Sequence, residues 1–426
     1  MTFKIITLGC KLNSCESAAI EKSFLADGYT KVEKDDARAN VYVINSCAVT
    51  GMAVTKARHA LSRCRRENPN AVVALCGCYP QSYPDEAGLK FGADIVIGNA
   101  DKSKLPRLVR EFMKTRHKSV KIAPLSREYD LESAVPDMDR TRAFLKIEDG
   151  CDRFCSYCII PTARGRVRSL PVEVIREQAA QCVDDGHHEI VLTGINLGCY
   201  GADLGLTLAD AAKSAASSGV ERLRLSSLEP EMMTDDGIAR LAEVKALCPH
   251  FHLSLQSGSD GVLERMNRKY DTAQFRHVAD KLRETFPGCS ITTDMIVGFP
   301  GETDEEFAES LEFAREIGFA KIHVFPYSLR PGTVAAEMEQ VHPSVRSERV
   351  EILTKAARDL ECEFLQSQIG TEHTVLVERP QSKDYSHGFT ESYIPVRIYG
   401  IELPRHTLAD VKITEIGDGY CRGIVI

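Results

Sequence analysis

The sequence lacks any apolar run long enough to cross a bilayer, a passage that takes about 20 consecutive apolar residues. Its opening, MTFKIITLGC, holds only a short one, without a charged leader and a small-residue cleavage site, so a cytoplasmic location with no membrane partner is expected. Net positive charge is also missing: 61 acidic side chains outnumber 53 basic ones, which leaves -8. Such a chain repels a polyanion overall, so nucleic-acid contact has to come from local basic patches. No internal repeat or low-complexity tract stands out, which excludes a repeat architecture. Tryptophan is absent, and its absence excludes nothing.

What is plentiful is thiol. Fifteen cysteines occur in 426 residues, in a chain whose 43% hydrophobic content suits two or three domains with separate cores. In a reducing compartment that number argues against a disulfide framework and for metal or redox chemistry.

Along the chain, FKIITL, ANVYVIN, NAVVAL and ADIVIG alternate with helical stretches such as Ser14 to Asp27. This predicts an open parallel α/β domain over residues 1–115. Periodicity fades from 116 to 140, where KTRHKSVK and PLSREYDLESAVPDMDRTR read as a linker. Residues 141–365 resume the alternation with AFLKIEDG, EIVLTGIN, RLRLSSLEP, HFHLSLQSG, SITTDMIVGF and AKIHVFPYS. Six βα units suggest a partial TIM-like (β/α)6 barrel with its active face at the carboxyl ends of the strands. A helix is expected from Val345 to Gln368, with apolar residues at Val350, Leu353, Ala357, Leu360 and Phe364, and Gly370 ends it. Over 366–426 the runs HTVLVE, SYIPVRIYG, DVKITEIG and CRGIVI predict a small antiparallel β-barrel.

Cys151, Cys155 and Cys158 form CxxxCxxC directly after the run AFLKIEDG. Three thiolates hold three corners of a 4Fe-4S cubane and leave one iron free for another ligand. A zinc site is the alternative, but tetrahedral zinc takes four ligands, normally from two CxxC hooks. The loop resembles that of the radical-SAM superfamily, in which the free iron chelates S-adenosylmethionine (SAM). That resemblance casts other strand-end residues as a SAM cradle: Thr193, Gly194 and Asn196; Ser226, Ser227 and Glu229; Gln256 and Ser257; and DMIVGFPGE from Asp294 to Glu302, where Gly298 admits close backbone approach to adenine. Tyr157, inside the loop, can pack on cluster or adenine. Singly, each reads equally well as turn chemistry.

A second trio lies in the first domain. Cys10 follows FKIITLG, Cys47 follows VYVINS, and Cys78 follows VVALCG, so three thiols far apart in sequence terminate three parallel strands. Those ends share one edge, where open α/β sheets bind ligands, so a second three-cysteine cluster is expected. The alternative for any single position is a buried cysteine serving as a small hydrophobe. Cys76 competes with Cys78, but its side chain alternates to the opposite face.

LGCKLN at Leu8 to Asn13, NSC at Asn45 to Cys47, GCYPQ at Gly77 to Gln81 and CDRFCSYCIIP at Cys151 to Pro161 together resemble the radical-SAM methylthiotransferases. The resemblance covers nearly the whole chain. It implies an N-terminal methylthiotransferase domain with an auxiliary 4Fe-4S cluster, a radical-SAM domain with a second, and a TRAM domain similar to RNA-binding barrels. It also implies SAM as methyl donor and radical source, the tRNA anticodon loop as substrate, and a one-electron reductant such as flavodoxin or ferredoxin; the sulfur donor stays unnamed. Cys10, Lys11, Asn13 and Glu16 resemble the subgroup acting on N6-threonylcarbamoyladenosine at position 37. The same chemistry on an isopentenyl-type adenosine or a ribosomal-protein aspartate remains an alternative, as does an iron-sulfur RNA-binding or redox-sensing protein, against which an open coordination site argues.

Basic residues cluster at Lys56, Arg58, Arg63, Arg65 and Arg66, from Lys114 to Lys121, and at Arg164, Arg166 and Arg168. Phosphate contacts supply RNA affinity. Arg164 and Arg166, beside the cysteine loop, are the expected RNA contacts, while Tyr327, Ser328 and Arg330 are expected to shape the substrate pocket.

Overall fold

A computed structural model of the chain describes all residues except 33–37, 91, 132–134, 139 and 379–383. Part of the expected linker thus lies outside the described residues. The chain divides into two compact units, one comprising Met1–Asp137, Phe144–Leu170 and Ser328–Ala336, the other Met138–Ala143, Pro171–Tyr327 and Glu337–Ile426.

The first unit is built on a parallel sheet of β1 (Thr2–Thr7), β2 (Thr30–Lys31), β3 (Val41–Ser46), β4 (Val72–Gly77), β5 (Ile95–Ile97) and β6 (Ser119–Lys121), in the order β2-β1-β3-β4-β5-β6. β3 and β4 are buried along their whole length, and largely apolar, because both faces are covered. Tyr42, Ile44, Val73 and Leu75 pack on one side with Ala57 and Leu61 of the helix Gly51–Glu67. Val41, Val43, Val72 and Ala74 pack on the other with Phe24 and Phe112. β6 comes from the stretch expected to be linker. The unit continues through β7 (Ala143–Lys146) and the hairpin of β8 (Glu148–Asp149) with β9 (Arg168–Ser169), which flanks the CxxxCxxC loop. It also takes in the late segment Ser328–Ala336: the Ala335 amide donates to the Ser156 carbonyl at 2.8 Å, and the Tyr83 hydroxyl to the Pro331 carbonyl at 3.2 Å.

In the second unit β10 (Glu189–Thr193) pairs in parallel with β11 (Arg222–Leu225), and β12 (His250–His252) with β13 (Ser290–Val297) and β14 (Lys321–Pro326). Bridges at Leu223–Leu247 and Leu228–Leu253 carry the parallel succession between the two groups. All six runs expected to be strands therefore become strands. Helices start where their caps say they should: Thr303 and Glu306 form a reciprocal capping box at the helix Asp304–Ile317, and Gly318 at φ 65 closes it. The helix expected from Val345 runs Pro343–Gln366.

The C-terminal barrel is closed, in the order β15-β16-β17-β19-β18, from β15 (Glu372–Val377), β16 (Tyr385–Thr390), β17 (Pro395–Tyr399), β18 (Leu408–Gly417) and β19 (Tyr420–Val425). Two features depart from expectation. β17 and β19 pair in parallel, so the barrel is not wholly antiparallel. β16, YSHGFT, carries too little apolar patterning to announce itself, and its Gly388 is needed because a side chain there would strike the Leu376 carbonyl.

Candidate functional site

Cys10, Cys47 and Cys78 each stand just past a strand of the first sheet. Cys10 is the N-cap of the helix Lys11–Ala26, Cys47 follows β3, and Cys78 follows β4. Gly9 between β1 and Cys10 adopts φ +115, and a Cβ there would come within 2.7 Å of the Cys47 Cβ. Only glycine lets the two cysteines approach. Asn13 ties the strand ends together, its Nδ2 donating to the Leu8 carbonyl at 2.6 Å and the Ser46 carbonyl at 3.2 Å. Two donors face the sulfurs: Asn99 Nδ2 lies 3.5 Å from Cys78 Sγ, and the Val49 amide 3.4 Å from Cys47 Sγ. Burial, and then the proximity of Cys78 and Cys10, push the Cys47 thiol up to about 11. Cys76 points to the opposite face, among Phe3, Ile95 and Val109.

The second trio sits on a loop closed at its base by the Cys151 amide donating to the Gly165 carbonyl at 2.9 Å, with a turn from the Cys158 amide to the Cys155 carbonyl at 3.0 Å. Burial, with Cys158 and Cys155 adding, pushes Cys151 up to about 12. Burial, and then neighbouring sulfurs, thus disfavour a bare thiolate at Cys47 and at Cys151, a cost that bonding to a metal would offset. Three thiols in CxxxCxxC with no fourth cysteine in the loop fit three corners of a cubane better than tetrahedral zinc.

Between the first sheet and the cysteine loop, within the same unit, lies a buried charge network that local sequence patterns did not disclose. Arg164 is 1% exposed. Its Nη1 contacts Glu16 Oε1 at 2.8 Å and Asp149 Oδ1 at 3.0 Å, and its Nη2 donates to Asn13 Oδ1 at 2.7 Å. Lys146 Nζ bonds Glu16 at 2.9 Å and Asp149 at 2.8 Å, while Lys102 and Arg168 complete the set. Against the burial that opposes charge, Arg164, Lys102 and Lys146 hold the Glu16 carboxyl well below the usual range. Two carboxylates thus face four cations. The excess positive charge lies where Cys78 and Cys10 in turn stabilise the charge on Arg164. A lysine inside the apolar run AFLK was the one signal that could have revealed this.

The expectation for Arg164 is therefore corrected: an enclosed guanidinium bonded to Glu16, Asp149 and Asn13 does not reach RNA. Arg330 and Tyr327 are also buried, at 7% and 5%, with Arg330 donating to Ser328 Oγ and Tyr327 packed edge-on against Phe299. Arg166 is open to solvent: its side chain is 67% exposed, paired with Asp152, and stacked at 5.1 Å over Phe154, itself half exposed.

The strand-end residues of the second unit are tied to one another by backbone and side-chain contacts. Thr193 and Asn196 are buried after β10, and the Gly194 amide donates to Ser226 Oγ at 3.4 Å, joining the ends of β10 and β11. Gln256 holds a left-handed φ of 65 and bridges to Met295 of β13. Glu229 is engaged by Arg268. Gly298, at φ +66, departs from the reason expected of it: a Cβ there would meet the Arg346 side chain at 2.8 Å, so the close approach is to that arginine stem.

A family profile described as Radical SAM superfamily matches residues 145–314, and one described as Uncharacterized protein family UPF0004 matches residues 2–98. The Thermotoga maritima protein named Threonylcarbamoyladenosine tRNA methylthiotransferase MtaB is 39% identical over 100% of this chain and 98% of its own. The Pelotomaculum thermopropionicum protein named tRNA-2-methylthio-N(6)-dimethylallyladenosine synthase is 33% identical over 91% of this chain and 88% of its own. Among solved structures, the radical S-adenosylmethionine methyltransferase TsrM from Kitasatospora setae matches with a TM-score of 0.59 at 12% identity, over 79% of this chain and 74% of its own, a likeness of fold alone.

Proposed function

The chain belongs to the radical-SAM tRNA methylthiotransferases, and on that premise we propose that it converts N6-threonylcarbamoyladenosine at position 37 of tRNA to its 2-methylthio derivative, using SAM twice. The observation that carries the reading is the presence of two three-thiol sites in one compact unit, one at the sheet edge and one on the CxxxCxxC loop. Cys10, Cys47 and Cys78 would hold the auxiliary 4Fe-4S cluster, and Cys151, Cys155 and Cys158 the SAM cluster. When bound, the latter would supply the electron for reductive cleavage of SAM, and the former would carry, at its open iron, the sulfur to be methylated and transferred.

The protein's own residues do the rest. Gly9 makes room for the first thiols, and Asn99 with the Val49 amide donates hydrogen bonds to two of their sulfurs, a lever on cluster potential. The cations around Glu16 and Asp149 offset thiolate charge and fix the spacing of sheet edge and loop. Thr193, Gly194, Asn196, Ser226, Gln256 and the backbone near Gly298 are the second unit's candidates to orient SAM; Tyr157 is the candidate within the cysteine loop. Arg166 with Phe154 offers a cation over an exposed ring, the pairing that grips phosphate and stacks a splayed base. The partners are the anticodon loop of tRNA and a one-electron reductant of the flavodoxin or ferredoxin type. No described helix is long and apolar enough to cross a membrane.

The threonylcarbamoyl substrate is favoured by the higher identity to the relative of that name, 39% against 33%. The test is anaerobic incubation of the reconstituted enzyme with SAM, reductant, a sulfide source and tRNA bearing either modified adenosine. The methylthio product is expected on threonylcarbamoyladenosine. Product only on the isopentenyl nucleoside would reassign the substrate, and none on any tRNA would reject the reading.

A further inference from the structure

One cluster of ligand-type side chains joins Asp294, expected from the sequence in the SAM cradle, to two histidines not used above. His252 ends β12, Asp294 sits midway along β13, and His323 faces it from β14 as its register partner. On these strands the alternate residues Phe251, Ile291, Thr293 and Met295 are buried. The opposite face is polar, and on it the three side chains converge. His252 Nε2 lies 3.5 Å from Asp294 Oδ2, the two imidazoles are 6.0 Å apart, and all three ligand atoms fall within 4.8 Å of one another. His323 is exposed and borders a cleft of about 310 Å³ formed with Thr354, Arg358 and Glu361 of the helix Pro343–Gln366, so this ligand is open to solvent.

We propose that His252, Asp294 and His323 form a binding site for a first-row divalent cation such as Zn²⁺, Co²⁺ or Fe²⁺. Two nitrogens and one carboxylate oxygen are the ligand set such ions prefer, whereas Mg²⁺ and Ca²⁺ take oxygen. Carriage on three adjacent parallel strands fixes the ligands better than a loop would. The far nitrogen of His252 is also held. His252 Nδ1 shares a hydrogen bond with the Thr292 hydroxyl at 3.0 Å, which leaves Nε2 aimed at Asp294, and Thr292 is in turn 3.3 Å from His250 Nε2. A ligating histidine characteristically has its second nitrogen held in this way. Three protein ligands leave further positions for water or for oxygen donors of a bound molecule, the pattern of an open site rather than a closed structural one.

The test uses the full chain with its iron-sulfur clusters installed, so that the six cysteines assigned to them are occupied. Titration with Co²⁺ should give one equivalent bound, with visible d–d absorption, no near-ultraviolet thiolate band, and pulsed-EPR couplings from two imidazole nitrogens. These readouts come from the unaltered protein and do not depend on a variant folding. Thr292→Val should weaken binding by about 10–100-fold, and His323→Ala and Asp294→Asn more, while His188→Ala, a solvent-side histidine, should leave it unchanged. No uptake, a thiolate spectrum, or equal binding by His323→Ala would overturn the proposal.

Discussion

Arg164→Met removes the centre of the buried network while keeping much of the side-chain volume. The loss comprises the bonds to Glu16 at 2.8 Å, Asp149 at 3.0 Å and Asn13 at 2.7 Å, all out of water. Breaking one partner out of a buried ionic set costs about 3–5 kcal/mol. Lys102 and Lys146 still serve Glu16, so the lower end, about 3 kcal/mol, is expected. At about 2–4 °C per kcal/mol, the midpoint should fall by roughly 6–12 °C. Denaturant unfolding of the cluster-free chain by circular dichroism, for Arg164→Met, Glu16→Gln and the double variant, forms a thermodynamic cycle. Because the two side chains share one network, the double variant should cost clearly less than the sum. Additivity to within about 0.5 kcal/mol, or a single-variant effect that small, would refute the argument that this arginine is structural.

Three further outcomes follow from other parts of the molecule. Cys155→Ala should abolish SAM cleavage, whereas Cys47→Ala should retain cleavage, lose methylthiolation and drop iron from about eight to about four per chain; identical behaviour of the two would dissolve the division of labour. Glu189 is fully buried and, against that burial, held down to about 2 by Arg224, Arg142 and Arg222. A depressed carboxylate stabilises above its unfolded value and loses that contribution as pH falls through the folded one. The stability gap between the cluster-free wild type and Glu189→Gln, about 3 kcal/mol for the shift from 4.5, should be constant above about pH 5 and shrink from there toward pH 2; a flat gap would contradict it. Arg166→Ala should reduce the salt dependence of tRNA affinity by about 0.7–0.9 of a log unit per decade without changing SAM cleavage in the absence of tRNA, measured by filter binding across salt concentrations.

Cys47 and Cys78 stood out because each follows an apolar run with both faces buried, ended by Ser or Gly, whereas Cys151, Cys155 and Cys158 stood out by their spacing alone. The six strands of the central region were readable as short apolar runs bounded by turn residues. Arg164 was not. Its position beside a reactive loop suggested RNA, but Glu16, 148 residues earlier, claims it, and no local pattern reveals a pairing over that separation. The burial of Tyr327 and Arg330 was not legible either, since a strand-end position says nothing about what covers it. β16 escaped notice because a strand in a small closed barrel can be polar and still find partners on both edges.

The unit that carries both thiol trios finishes itself with Ser328–Ala336. During synthesis at about 5–20 residues per second, that segment leaves the ribosome roughly ten to forty seconds after Cys158 does. Until then Ser156 lacks the amide of Ala335 and Tyr83 the carbonyl of Pro331. All six thiols are thus translated, and open to oxygen or stray metal, well before the fold around them is whole, so iron loading belongs to a late stage of the nascent chain's maturation and a chain truncated ahead of residue 328 would be a poor recipient of it.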